Sequence, residues 1–271
     1  MTENKYSKIL VLGAGPVVIG SSSEYDYSAV SVCRALKEEG ISVVSVNSNP
    51  DTIMTDKNVA DTVYIEPLNG ETVKKIIEKE IPDAIIGTTG GEAGLEICLE
   101  LLQNGYLDEH GTKLLGIKPE TIKAIRNEQA LRDTLENVGE PYVSAKVLPT
   151  DAECVTFASE IGFPVLISPA FTPDFSEPIR CENADDILSG FGSCAERSLV
   201  NEVYVRKCVD DYKEVEFVAM RDSFGNCISV SSTENIDSVG IHSGDSIVVI
   251  PAQTLTDSET CLLYTSPSPR D

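Results

Sequence analysis

The stretch KILVLGAGPVVIG, residues 8–20, joins a continuous apolar run to a glycine-rich turn. An apolar run of this length, bounded by glycines, is typical of a buried strand, which we predict over residues 8–12. Further apolar runs, separated by helical patterns, continue to residue 117. They predict strands at 41–46, 64–65, 84–86 and 113–115 and helices at 28–39, 71–80 and 93–102. Strands that alternate with helices predict an α/β domain built on a doubly wound parallel sheet.

The pattern changes near residue 118, where we place a domain boundary. Two short helices are predicted within 119–138. The remaining predicted elements are strands at 143–148, 164–167 and 202–208, helices at 152–161 and 183–197, and a hairpin of 213–220 and 227–232. The antiparallel hairpin favours an α+β second domain over residues 119–260.

The glycine turn does not complete a dinucleotide-binding fingerprint. Val18 stands where the fingerprint has glycine, and Pro16 lacks a backbone N–H that could face a pyrophosphate. The second predicted strand ends near Asn47 and Asn49 rather than at the carboxylate that would hold a ribose. An NAD-dependent enzyme is therefore disfavoured, and a turn that only packs strand against helix remains the alternative.

Composition excludes several classes of partner. The 44 Asp and Glu residues outnumber 21 Lys and Arg, for a formal net charge of −23. This balance argues against non-specific nucleic-acid binding and against docking on anionic membranes. No run approaches the ~18 apolar residues of a membrane span. The eight cysteines form no C-x-x-C pair and only two histidines are present, which predicts reduced thiols in a cytoplasmic protein without a metal site.

The last eleven residues, 261–271, differ from the rest of the chain. They contain two Ser-Pro steps and no apolar period, which predicts a disordered tail. The string also resembles the translation of sequencing-adapter read-through, so we expect a non-native tail. If the domain before it is cut short, a sheet edge and apolar surface should be left unpaired near residues 247–255.

Several segments together resemble the first half of the large chain of carbamoyl-phosphate synthase. These segments are 13–20, 23–28, 46–50, 52–56, 240–246 and 251–257. The resemblance implies a pre-ATP-grasp domain over residues 1–118, followed by an incomplete ATP-grasp domain over 119–260. An ordered set that spans residues 7–259 is far more specific than any single glycine motif.

The resemblance also implies a reaction. Members of this family use ATP and Mg²⁺ to phosphorylate bicarbonate, and ammonia converts the resulting carboxy phosphate to carbamate. A separate glutaminase subunit or domain supplies the ammonia, and the product enters arginine and pyrimidine biosynthesis. The family's metal-binding carboxylates would lie beyond Asp271.

Six site residues follow from the same resemblance. His242 is the implied catalytic residue, able to donate to an anionic intermediate. The implied nucleotide-binding residues are Lys207, Val209, Glu214, Gly240, Ile241 and His242. Without the resemblance, Glu214 would be one polar position of an alternating strand, and His242 a loop residue.

The sequence departs from the family where phosphates are handled. Ala130 and Ser168 align with two nucleotide-contacting arginines, and Lys207 aligns with an acidic residue. The loop 171–179 contains no glycine and carries two carboxylates, while Glu92 and Glu96 replace a glutamine and an asparagine. These changes remove positive charge or add negative charge. They leave open an alternative function, a diverged non-catalytic ATP-grasp homologue that acts as a binding or assembly module.

Overall fold

The structure is a computed structural model in which the chain forms two compact units, Met1–Asn127 and Glu128–Asp271. It describes residues 6–16, 23–126, 128–170, 178–198, 200–210, 212–222, 224–242 and 245–265. Four predicted features lie wholly or partly outside these residues: the turn at 17–20, the loop at 171–177, residues 243–244 and the end of the tail, 266–271. The division between the units falls after helix Pro119–Arg126, later in the chain than residue 118.

The first unit alternates strands and helices. Its strands are β1 (Lys8–Leu12), β2 (Ser42–Asn47), β3 (Thr62–Ile65), β4 (Ala84–Ile86) and β5 (Lys113–Leu115). Its helices are α1 (Ser23–Glu38), α2 (Gly70–Glu80), α3 (Gly91–Gln103), α4 (Tyr106–Glu109) and α5 (Pro119–Arg126), with 3-10 turns at Ile53–Thr55 and Thr88–Gly90. The strands form one parallel sheet in the order β3-β2-β1-β4-β5, which confirms the predicted doubly wound architecture.

Side chains of β1 alternate between two apolar layers, because successive strand residues point to opposite faces. Leu10 and Leu12 pack with the helices α2 and α3. Ile9 and Val11 pack with α1 on the other face. All four are at most 1% exposed, which explains why the strand is apolar throughout.

Two contacts fix the ends of the central strands β1 and β4. The Asp83 carboxylate accepts hydrogen bonds from the backbone N–H groups of Ser7 (2.6 Å) and Lys8 (2.9 Å), so it fixes the start of β1. Gly94 in α3 packs against the chain at Gly87, where an added Cβ would lie 2.4 Å from the Gly87 carbonyl oxygen. Glycine at 94 is therefore required for the close approach of helix and strand end.

The second unit contains two sheets. Its strands are β6 (Ala145–Leu148), β7 (Val165–Pro169), β8 (Ile179–Cys181), β9 (Val203–Lys207), β10 (Val215–Arg221), β11 (Cys227–Asn235) and β12 (Val248–Val249). Its helices are α6 (Glu128–Val138), α7 (Asp151–Ile161), α8 (Ala184–Arg197) and α9 (Asp257–Thr265). One sheet has the order β6-β9-β7-β8 and the other β10-β11-β12, and every strand pair is antiparallel.

The four-stranded sheet has one apolar and one polar face. Val165, Ile167, Val203 and Val205 are fully buried against α7 and α8. The alternate residues, among them Ser168, lie on the opposite face. The predicted hairpin is present as β10 and β11, whereas β8 was not predicted from the sequence.

Helix α9 corrects the prediction of disorder from residue 261, because Cys261–Thr265 are helical. A reciprocal pair of contacts begins this helix: the Glu259 N–H donates to Thr256 Oγ1 (3.3 Å), and Glu259 Oε2 accepts from the Thr256 N–H (2.8 Å). This capping box lies in the T-x-x-E signature at 256–259, which the sequence analysis missed.

The three-stranded sheet leaves one face apolar and exposed. Val218, Met220 and Ile228 lie on this face, and each is about half exposed. Residues 252–254 cover the opposite face, where the N–H groups of Gln253 and Thr254 donate to Glu234. Ile247 and Ile250, near the edge strand β12, are 70% and 64% exposed, as predicted for the surface near 247–255. Among the described residues, no helix is long and apolar enough to cross a membrane.

Candidate functional site

The loop that joins β11 to β12 carries three of the predicted site residues, Gly240, Ile241 and His242. Hydrogen bonds anchor it at both ends, from Ile236 N–H to the Ile247 carbonyl (2.9 Å) and from Val239 N–H to the Tyr212 carbonyl (3.0 Å). Gly240 and His242 both have positive φ, 85° and 49°. The left-handed conformation is uncommon for a residue with a Cβ, although histidine adopts it more readily than most.

His242 is positioned by a neighbouring carboxylate. Its Nδ1 lies 3.0 Å from Asp237 Oδ2. The His242 side chain is 68% exposed and the Asp237 side chain 33% exposed. The ring therefore faces solvent while its Nδ1 is engaged on the protein side.

Glu214 precedes β10 and is half buried. Its carbonyl oxygen accepts from the Asn235 N–H (3.0 Å), which extends the pairing of β10 with β11. Among the described residues, its carboxylate makes no hydrogen bond. Such a carboxylate is available to accept from the hydroxyl groups of a ligand.

The Lys207 side chain makes hydrogen bonds to the protein backbone. Its Nζ donates to the carbonyl oxygens of Gly162 (2.7 Å) and Phe163 (3.3 Å), between α7 and β7. A carboxylate at this position could not make these bonds, so the contact accounts for a cation where the related family has an acid. The next candidate, Val209, accepts from the Tyr212 N–H through its carbonyl oxygen (3.1 Å).

The structure adds Arg180 on β8, which sequence reasoning missed. Its guanidinium pairs with Asp210, with Glu182 (2.7 Å) and with Cys208 Sγ (3.3 Å). A Cβ at Gly240 would lie 3.7 Å from Asp210 Oδ1, so the histidine loop and the segment after β9 are close together. Burial, followed by the hydrogen bond that the thiol donates to the Asp210 carboxylate, raises the pKa of Cys208.

Two arginines share the polar face of the four-stranded sheet with Ser168. Arg180 on β8 and Arg206 on β9 both pair with Leu166, two residues before Ser168 on β7. Residues in register on neighbouring strands point to the same face. Arg206 is exposed and, among the described residues, takes part in no ion pair. No sequence signal located this pair, because strand register decides it.

The predicted site residues offer more contacts suited to the nucleoside of a nucleotide than to its phosphates. Glu214 and the loop at 240–242 offer an acceptor and backbone groups suited to a nucleoside. The two positions that the resemblance aligns with nucleotide-contacting arginines, Ala130 and Ser168, carry no cation. Among the described residues, no group of three or more His, Cys, Asp or Glu side chains could hold a metal ion by itself. A Mg²⁺ ion that enters bound to phosphates needs only one or two protein carboxylates.

Two other features lie apart from this site. Glu92 and Glu96 lie on α3 in the first unit, with Glu92 in the first helical turn, where the helix dipole favours a carboxylate. A cleft of about 350 Å³ in the second unit lies between β6 and α7 and contains none of the predicted site residues. Its lining residues are Lys146, Val147, Leu148, Pro149, Glu153, Thr156, Phe157 and Glu160.

The fold resembles that of several ATP-grasp carboxylases. The biotin carboxylase domain of Hydrogenobacter thermophilus 2-oxoglutarate carboxylase, solved with MgADP, ADP and bicarbonate, aligns with a TM-score of 0.75 at 19% identity, over 96% of this chain and 56% of that chain. Biotin carboxylase from Campylobacter jejuni, solved as a β,γ-ATP complex, aligns with a TM-score of 0.75 at 20% identity, over 97% and 58%. These likenesses define the class, an α/β chain of ATP-grasp type.

Sequence comparison then assigns the family. Residues 5–124 match the carbamoyl phosphate synthase preATP-grasp domain, and residues 127–267 match the carbamoyl-phosphate synthase L chain ATP binding domain. The chain belongs to the carbamoyl-phosphate synthase large-chain family, which confirms the resemblance seen in the sequence.

Relatives in this family are much longer. The carbamoyl phosphate synthase large chain of Agathobacter rectalis is 48% identical over 263 residues, and that of Lachnoclostridium phytofermentans 47% identical over 263 residues. Both alignments cover 97% of this chain and 25% of the relative. The chain thus spans about a quarter of the length of the curated relatives it matches.

Proposed function

We propose that this chain supplies the nucleotide-binding region for the bicarbonate-phosphorylating half of a carbamoyl-phosphate synthase large chain. In that role ATP phosphorylates bicarbonate, and ammonia from a glutaminase subunit or domain attacks the carboxy phosphate to give carbamate. The setting is cytoplasmic arginine and pyrimidine biosynthesis. The observation that carries the proposal is the ordered match of both domains, over residues 5–124 and 127–267. Glu214 and the loop 240–242 are the proposed site residues within the second match.

The proposed residue roles divide between nucleoside and intermediate. Glu214 accepts from ribose hydroxyls, while backbone groups of residues 207–209 and 240–241 contact the nucleotide. Lys207 contributes its main chain to the proposed site, because its Nζ is bonded to Gly162 and Phe163. His242 faces the anionic intermediate through its exposed imidazole.

Whether this chain can carry out phosphoryl transfer by itself is a separate question. The loss of one phosphate-stabilising cation or donor in such a site typically lowers the rate by about 10²–10⁵. Two such cations are absent, because Ser168 and Ala130 stand where the resemblance implies arginines. We therefore propose that the chain binds nucleotide without efficient turnover. A purely non-catalytic assembly module is not favoured by the family matches, and the decisive property is binding of Mg-ATP.

Calorimetric titration with Mg-ATP tests the proposal. Glu214→Gln should weaken binding about tenfold, because it removes the charge on a hydrogen-bond acceptor. Glu216→Gln is the matched control, an exposed carboxylate two residues further along. Equal effects of the two substitutions, or no heat of binding at millimolar nucleotide, would contradict the proposal.

A gain-of-function variant completes the test. Ser168→Arg places a guanidinium on the polar face at the position of a family arginine and should tighten Mg-ATP binding about tenfold or more. Ser168→Gln is the control of similar polarity without charge. If Arg and Gln give the same affinity, Ser168 does not lie beside the phosphates.

A further inference from the structure

The Asp237–His242 pair lies between two backbone hydrogen bonds in the segment that joins β11 to β12. Asp237 follows Ile236, whose N–H is bonded to the Ile247 carbonyl. On the other side of the ring, the His242 carbonyl oxygen accepts from the Asp245 N–H (2.8 Å). Both partners of the pair are thus on anchored backbone, and Asp237 Oδ2 lies within hydrogen-bond distance of His242 Nδ1.

The conformation of His242 adds a second observation. Its φ of 49° places it in the left-handed region, which is uncommon for a residue with a Cβ. Backbone of this kind persists where the surrounding structure fixes it, and it clusters at functional sites.

We propose that Asp237 is a positioning residue that holds His242 as the Nδ1–H tautomer and leaves Nε2 as the ring nitrogen available to a ligand. A carboxylate accepts but does not donate, so a 3.0 Å contact requires the proton on Nδ1. The hydrogen bond made by one ring nitrogen decides the state of the other. In a neutral ring Nε2 accepts, and in an imidazolium ring Nε2–H donates while Asp237 balances the charge.

This inference rests on the proposed function for the identity of the ligand, a phosphorylated anion, but the dyad can be tested in the ligand-free chain. The chain has two histidines, His110 and His242, so an imidazole NMR spectrum contains two ring systems. His110 belongs to the first unit, where its Nδ1 lies 3.0 Å from the Tyr106 carbonyl oxygen. It is an internal reference, and His110→Gln assigns its signals.

The experiment measures ring ¹⁵N chemical shifts of the full chain at a pH of about 9, well above the usual imidazole pKa of about 6.5. Asp237→Ala should lower the ratio of Nδ1–H to Nε2–H tautomer at His242 by about two- to fivefold, as expected for a partly exposed pair. Asp237→Asn, which keeps an acceptor without charge, should give an intermediate ratio. Asp245→Asn is the control that removes a nearby charge without removing the contact.

Each result decides one question. An unchanged His242 tautomer ratio in Asp237→Ala, or an equal change in Asp245→Asn, would overturn the positioning role. A change at His110 would show that the substitution acts on the whole fold, and the role would also be rejected. Addition of Mg-ATP tests the proposed function separately. If the substitutions shift the His242 signals but Mg-ATP does not, the positioning role of Asp237 is supported and the proposed nucleotide site is rejected.

Discussion

Replacing Lys207 separates a structural role from a nucleotide-binding role at one residue. Its Nζ is bonded to the carbonyl oxygens of Gly162 and Phe163 and connects the end of β9 to the segment before β7. Lys207→Met keeps the aliphatic stem and removes the charge and both hydrogen bonds. Lys207→Glu restores the family's acid and places a carboxylate against two carbonyl oxygens.

The structure sets the size of the effect. A hydrogen bond to a charged group contributes about 1.5–3 kcal/mol when well made. The 2.7 Å bond to Gly162 qualifies, whereas the 3.3 Å contact with Phe163 adds little. Because Lys207 is only half buried and water can replace its partner, we expect Lys207→Met to lower the free energy of unfolding by about 1–2 kcal/mol. Lys207→Glu should lower it by about 2–3 kcal/mol.

Urea unfolding, followed by far-ultraviolet circular dichroism, measures the loss. With a slope of about 2 kcal/mol per molar urea, Lys207→Met should move the midpoint down by about 0.5–1 M. Lys146→Met is the matched control, an exposed lysine on β6 of the same sheet, and should change stability by less than about 0.5 kcal/mol. If Lys207→Met behaves like the control and instead weakens Mg-ATP binding tenfold, Lys207 is a nucleotide ligand and the structural assignment is wrong.

Three further outcomes follow from burial and charge. Of the eight cysteines, only the exposed Cys227 and Cys261 should react rapidly with a thiol reagent in the native chain. Burial raises the pKa of the other thiols, that of Cys98 to about 12, so all eight should react only after unfolding in urea. The backbone N–H donors of Lys8 and Ser7 lower the pKa of Asp83, so the Asp83 carboxylate stabilises the fold above about pH 4 and loses this effect as the pH falls further. The free energy of unfolding of Asp83→Asn should therefore depend less steeply on pH in the acid range. Because the exposed face of the three-stranded sheet is apolar, we expect the chain to self-associate at high concentration, and Val218→Glu, which charges the face, should weaken that association severalfold in sedimentation.

The first unit could be predicted from sequence because each of its strands is a distinct apolar run. Leu10 and Ile85 are fully buried on a parallel sheet, and such strands need apolar residues on both faces. The start of α1 was placed too late, at 28 rather than Ser23, because residues 23–27 lack an apolar period. Strand β8 was missed because two of its three residues are exposed and no alternation can show in so short a segment.

The candidate site was predictable only in part. The family resemblance predicted Glu214 and the loop 240–242 as site residues, and this stays a prediction. The described residues just before the loop are hydrogen-bonded through Ile236 and Val239. The Lys207 contact with Gly162 joins residues 45 positions apart, and no local pattern signals such a bond. The same holds for Arg180 with Asp210, 30 positions apart. Non-local polar contacts depend on strand order and register, which sequence spacing does not encode.

The charges on the polar face indicate why neighbouring arginines do not fully replace an arginine at position 168. Arg180 reaches this region, but Asp210 and Glu182 already neutralise it, so it cannot supply a net positive charge to a phosphate. Arg206 lies on the same face without an ion pair among the described residues and therefore contributes its full charge. Under the proposed function, this one guanidinium stands near the phosphates where the resemblance implies two arginines, while Glu214 serves the nucleoside. Binding without efficient phosphoryl transfer is the balance that these charges predict.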